Sequence, residues 1–226
     1  MPLKMDEPET LVEIDRWDGG VGWFAHPEET MQRASHALRV DDEVWLVDPL
    51  DVNGVDELVA ELGSVAGVVV TLDRHTRDAS TLARRHGVSV HLPKQLAGVA
   101  REIDAPVELF DGELEDTGYR VLPVLDWPGW REVALYHETD GTLVIGDALG
   151  TAPYFCTATE RLGVSPALRL FPPRSALGQL TPERVLVGHG SGIMTNATEA
   201  LDDALRGARR NAPRLYVDAL KLFFPI

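Results

Sequence analysis

The six residues Gly67–Leu72 (GVVVTL) constrain this chain more than any other segment. Valine branches at Cβ, which restricts it in a helix and suits it to a pleated backbone. The run carries no charge and no polar alternation, so the strand it predicts has no solvent-facing side. Strands of that kind occur where a sheet is covered on both faces.

The neighbouring segments repeat the theme. Glu43–Asp48 is an apolar run that ends at the turn Asp48-Pro49. Asn53-Gly54 opens a helix over Val55–Leu62, with Leu58, Val59 and Leu62 on one face, and Gly63 stops it. A polar loop, Asp73–Arg77, leads into a helix over Asp78–His86 that ends at Gly87, and Val88–Leu92 reads as a strand. Leu11–Trp17, Val21–Ala25 and Ala34–Val40 predict short strands before this alternating region. After it come Pro106–Phe110, Tyr119–Leu125 and Glu132–His137, the last joined through the Asp140-Gly141 hairpin to Thr142–Ile145. Asp147–Leu180 is irregular and holds Pro153, Pro166, Pro172 and Pro173. Pro182–Val187 predicts a last buried strand. Thr195 then caps a helix over Ala197–Arg210, with arginines at its negative end and Pro213 beyond. Strands on both sides of the midpoint, with helices outside, predict an α/β (α+β) fold: a four-layer αββα sandwich formed by one domain over residues 1–226.

Charge excludes two classes of partner. Acidic residues number 36 against 21 basic ones, for a net charge of -15, which repels nucleic acid and anionic membranes. Lysine is scarce beside arginine. That pattern fits an acidic, halophilic protein, the alternative being a genome that favours arginine codons. The longest apolar stretch, Val65–Leu72, is far below the ~20 residues of a membrane helix. The polar start, Met1–Thr10, does not read as a signal peptide. A lone cysteine, Cys156, is compatible with a reducing, cytoplasmic setting. It has no evident base beside it, and Gly188-His189-Gly190-Ser191-Gly192 lacks the spacing of a nucleophile elbow.

Loops that follow buried strands carry sites in such folds. Here they hold Asp48, then Asp73-Arg74-His75-Thr76-Arg77-Asp78, then Asp147, then His189. Imidazoles and carboxylates brought together hold a borderline metal such as zinc. Trp127, Trp130, Tyr154 and Phe155 fall near the same edge and are candidates to wall a pocket, or to serve as packing. His86 ends a helix and meets its negative pole, and His91 and His137 end strands and read as surface groups.

In order, VDP, TLDRHTRD after GVVV, PGW-REVALY, LVIGDAL and VLVGHG resemble the metallo-β-lactamase superfamily over about Ala34–Gly190. The resemblance implies an αββα sandwich with a metal site at one edge. It also implies hydrolysis of an ester, thioester or phosphoester by metal-activated water, with zinc or another divalent metal as cofactor. By the same resemblance Asp48 orients the ligand loop, and Asp147 and His189 are metal-binding and catalytic. The ligand loop departs from the family pattern THxHxDH. Counting from Thr71, its ligand positions hold Leu72, Arg74, Thr76 and Arg77, and Trp130 stands where a histidine follows PG. His75 and Asp78 lie one place off and complete the candidate metal set His75, Asp78, Asp147 and His189. Arg74 and Arg77 are candidate anion-binding groups that fill the vacated space. Two functions follow as expectations. One is a hydrolase of a small molecule with a reduced metal site. The other is an inactive relative that binds a small anionic ligand or a protein partner. A metal-free state and a homo-oligomer both stay open.

Overall fold

Side-chain alternation assigns each strand to its layers. The structure, a computed structural model, describes residues 2–5 and 10–223, and for 218–223 only the backbone. Of the polar Met1–Thr10 segment, residues 1 and 6–9 lie outside the described residues. The first sheet takes seven strands in chain order. These are β1 (Val12–Trp17), β2 (Gly20–Phe24), β3 (Ala34–Val40), β4 (Glu43–Val47), β5 (Ser64–Val69), β6 (Val90–Pro93) and β7 (Val107–Phe110). Pairing is antiparallel from β1 to β4 and parallel from β4 to β7. The second sheet contains β8 (Tyr119–Trp127), β9 (Trp130–His137), β10 (Thr142–Ile145) and β13 (Arg184–Val187), in the order β13-β10-β9-β8. A short pair, β11 (Leu149–Gly150) with β12 (Gly163–Val164), lies in the stretch read as irregular.

Successive side chains of a strand point to opposite faces, and every central strand here is apolar on both. On β4, Val44 and Leu46 pack with α1 (Val55–Ala60) and α2 (Ala79–His86), whereas Trp45 and Val47 face the other sheet. On β13, Leu186 faces the first sheet, while Val185 and Val187 pack under α4 (Ala197–Phe223). Leu143, Val144 and Ile145 of β10 divide the same way. The layers are therefore helix, sheet, sheet, helix, as the sequence predicts.

Three local expectations are corrected. The last helix continues through Pro213, whose φ suits a helix although its ring lacks the amide donor and crowds the Arg209 carbonyl. Ala212 and Leu215 are buried on either side of it, and the Tyr216 hydroxyl donates to the Pro166 carbonyl at 2.9 Å. Arg206, Arg209 and Arg210 are consequently mid-helix rather than terminal. Thr195 lies one residue outside the start, which Asn196 precedes. The helix expected from Asp78 starts at Ala79, and the Asp78 carboxylate accepts the Asp51 amide at 2.8 Å.

Candidate functional site

Strands β4, β5, β10 and β13 all end at the same edge of the sandwich, and the loops beyond them meet there. Asp48 follows β4 in a left-handed conformation (φ 46°). It accepts the Thr71 amide at 2.8 Å and the Thr71 hydroxyl at 2.6 Å, which ties the β5 loop down. The same carboxylate accepts His75 Nδ1 at 2.9 Å. His75 Nε2 then lies 3.1 Å from Asp147 Oδ1, and His189 Nε2 lies 2.8 Å from that same oxygen. His189 Nδ1 donates to the Met31 carbonyl at 2.9 Å. Gly188 leaves little room for a side chain, since a Cβ there would sit 3.0 Å from both the Gly146 carbonyl oxygen and His75 Cε1.

The arginines expected in this loop play different parts. Arg77, also left-handed (φ 38°), donates to the carbonyls of Ala34 at 2.5 Å, Asp48 at 2.7 Å and Gly188 at 3.3 Å. Its Nη2 is 3.4 Å from His75 Nε2. Arg74 is half-exposed. It donates to Asp147 Oδ2 at 2.8 Å and stacks 4.6 Å from the Trp130 ring centroid. Phe155 stacks on His189 at 5.8 Å and Tyr154 meets it edge-on at 6.0 Å. Trp127 stays exposed.

The structure thus brings together His75, Asp147 and His189, with Asp48 behind them, and leaves Asp78 outside that group. Asp78 and Arg77 line a different cavity of about 600 Å³ that also includes Arg33, Asp51 and Arg85. Sequence reading passed over Glu132, which is buried behind the site. It accepts the Ala148 amide at 3.0 Å and the Trp130 indole at 2.8 Å. Its signal was an acid opening the apolar run Glu132–Tyr136. His91, read as a surface group, is buried on β6 because its ring turns into the sandwich against Trp45.

Charge settles unevenly here. Burial opposes ionisation of Asp147 but is outweighed by the His75 charge and by bonds from both histidines, so its pKa falls well below the usual carboxylate range. Asp48 is lowered likewise, burial being overcome by His75, Arg77 and Thr71. Burial and the Arg77 charge depress His75, but Asp147 and Asp48 prevail and raise it. Burial lowers His189 against the pull of Asp147. Burial and the nearby Asp147 charge push Glu132 up to about 7.

Hydrogen-bond accounting tests whether this group suits a metal. Each histidine has an acceptor on both ring nitrogens: Asp48 and Asp147 for His75, Met31 and Asp147 for His189. A neutral ring carries one proton, and burial favours the neutral form of His189: its Nδ1 proton goes to the Met31 carbonyl, so its Nε2 lone pair faces Asp147 Oδ1. Without a metal, His75 takes a proton on each nitrogen and donates to both Asp48 and Asp147. One divalent cation among the three atoms would take the place of the His75 Nε2 proton and remove the His189 mismatch, and the outer partners hold the rings as ligand-orienting groups do. The residues fit a single ion, beside which the Arg77 guanidinium lies 3.4 Å from His75 Nε2.

The layers and this edge site together define the class: the chain has the metallo-β-lactamase fold. It aligns with the DIM-1 metallo-β-lactamase exposed to ceftazidime at a TM-score of 0.63 and 12% identity, over 90% of this chain and 100% of that one. The metallo-β-lactamase FIM-1 from Pseudomonas aeruginosa, in its mono-zinc form, aligns at 0.55 and 9% identity over 90% and 98% of the two chains. The flavodiiron protein from Giardia intestinalis aligns at 0.60 and 15% identity, over 90% of this chain and 61% of that one. No family model and no curated protein matches the sequence.

Proposed function

We propose that the protein is a metal-dependent hydrolase of a small ester-like or phosphoester-like molecule, working with one divalent ion held by His75, Asp147 and His189. The observation that carries this is the pair of histidines whose two ring nitrogens all face acceptors. Two imidazoles and a carboxylate are a donor set that zinc and ferrous iron accept with positions left open. Bound there, such an ion lowers the pKa of a water to about 7 and polarises a carbonyl or phosphoryl oxygen. The similarity to a mono-zinc lactamase supports a one-ion site in this fold.

The chain's own groups supply the rest. Asp48 and the Met31 carbonyl keep both Nε2 atoms turned inward. Arg74, flat against Trp130 and half-exposed, is placed to meet a substrate carboxylate or phosphate in a two-pronged contact. Glu132 has a pKa near neutrality, which suits a group that holds a proton behind the site. Arg77 repels a dication, so the ion is held less tightly than by the same donors alone.

Metal content tests the reading. Protein purified without chelator carries at least one equivalent of zinc, iron or manganese, and His189→Gln carries about one equivalent less. Equal metal content in wild type and His189→Gln overturns it. The alternative, a metal-free binder of small anions, rests on Arg74, because Arg77 is committed to main-chain carbonyls. It requires a thermal shift by phosphorylated or carboxylated metabolites in chelator-treated protein, lost in Arg74→Ala.

A further inference from the structure

A second set of donors lies where β6 and β7 begin, facing the turn that precedes β4. His91 on β6 and Glu108 on β7 are cross-strand partners. Glu115, beyond β7 and left-handed (φ 41°), returns its carboxylate to the same place. One ligand atom from each lies within 4.8 Å of the others.

The imidazole is built in. His91 is 5% exposed. It meets the Trp45 ring edge-on at 4.9 Å and lies over Gly67, where a Cβ would come within 2.9 Å of its Cδ2. Among the described residues its buried Nδ1 has no hydrogen-bond partner, and Glu115 Oε1 is 3.4 Å away. Buried polar atoms without partners are uncommon and costly, so this one calls for a missing partner. Two donors about 2.1 Å from a tetrahedral ion sit about 3.4 Å apart, which is the separation found. His91 lines a cavity of about 660 Å³ together with Asp41, Asp42, Glu43 and Asp116, with no lysine or arginine in its walls among the described residues.

We propose that His91, Glu108 and Glu115 bind a divalent transition-metal ion, at a site separate from the His75–Asp147–His189 edge. The buried imidazole selects against magnesium and calcium, which prefer all-oxygen shells, while the acidic rim raises the local cation concentration. Unlike the edge site, this one has no guanidinium beside it.

Isothermal titration of zinc chloride into the chelator-stripped full chain tests the site. His189→Gln removes the edge site in this experiment, so a zinc-binding component must persist in it. Adding Glu108→Gln and Glu115→Gln, both exposed and tolerable to the fold, weakens that component at least about a hundredfold. His91→Gln does the same. Asp202→Asn with Asp203→Asn, an acidic pair on α4, leaves it intact, and excess magnesium does not displace the zinc. The proposal is overturned by unchanged binding after loss of both glutamates, by an equal loss in the α4 control, or by equal competition from magnesium.

Discussion

Replacing Arg77 with alanine separates a clamp from a ligand-binding group. The guanidinium joins the carbonyls of Ala34, Asp48 and Gly188, which belong to three segments meeting at the site edge. Hydrogen bonds from a charged group contribute about 1.5–3 kcal/mol each. Counting the bonds at 2.5 and 2.7 Å and neglecting the longer one gives about 3–6 kcal/mol. Arg77 is only partly buried, so water replaces some of this and about 3 kcal/mol is expected. For a chain of this size each kcal/mol moves the melting temperature about 2–4 °C, so Arg77→Ala melts about 6–12 °C lower. Arg77→Lys recovers part of the loss, since one ammonium cannot span the same carbonyls. Arg74→Ala, which removes one half-exposed ion pair, costs under about 1 kcal/mol. Urea and thermal melts with chelator present keep metal linkage out of the comparison. A loss under about 1 kcal/mol for Arg77→Ala, or an equal loss for Arg74→Ala, refutes the clamp.

Three further outcomes are expected. Glu132 has a folded pKa of about 7, above its unfolded value, so its favourable contribution is full at low pH and is lost as pH rises through about 7. Glu132→Gln removes this slope between pH 5 and 8 in urea melts, and an unaltered slope refutes the assignment. Asp48 has a lowered folded pKa, so its contribution is present above its unfolded value of about 3.9 and is lost as pH falls further; the deficit of Asp48→Asn, measured by urea melts, is full at pH 7 and shrinks below that value. With a net charge of -15, the melting temperature climbs from low to molar KCl as self-repulsion is screened, and a flat response points to arginine codon bias instead.

Much of the layered architecture was legible because it rests on short continuous apolar runs bounded by turn residues. Ala34–Val40 and Thr142–Ile145 fall where the sequence places them, and the other expected strands shift by a few residues at one end or both. Those segments are apolar on both faces, which left few alternatives. Asp48, Asp147 and His189 were legible because each closes such a strand. The loop between β5 and α2 was not. Its side chains are aimed by two left-handed residues, Asp48 and Arg77, and neither a propensity nor a motif records that. Hence Asp78 turned to the Asp51 amide instead of joining His75. Glu132 and His91 escaped because both are buried polar groups whose position depends on partners distant in sequence.

Arg77 also bears on how such a site changes over time. Once an arginine holds three stretches of backbone together, the scaffold depends on it. A histidine in its place would add a metal-binding ring only by releasing the carbonyls of Ala34, Asp48 and Gly188. Building a further donor into this loop therefore takes coordinated changes in the strands around it rather than one substitution within it.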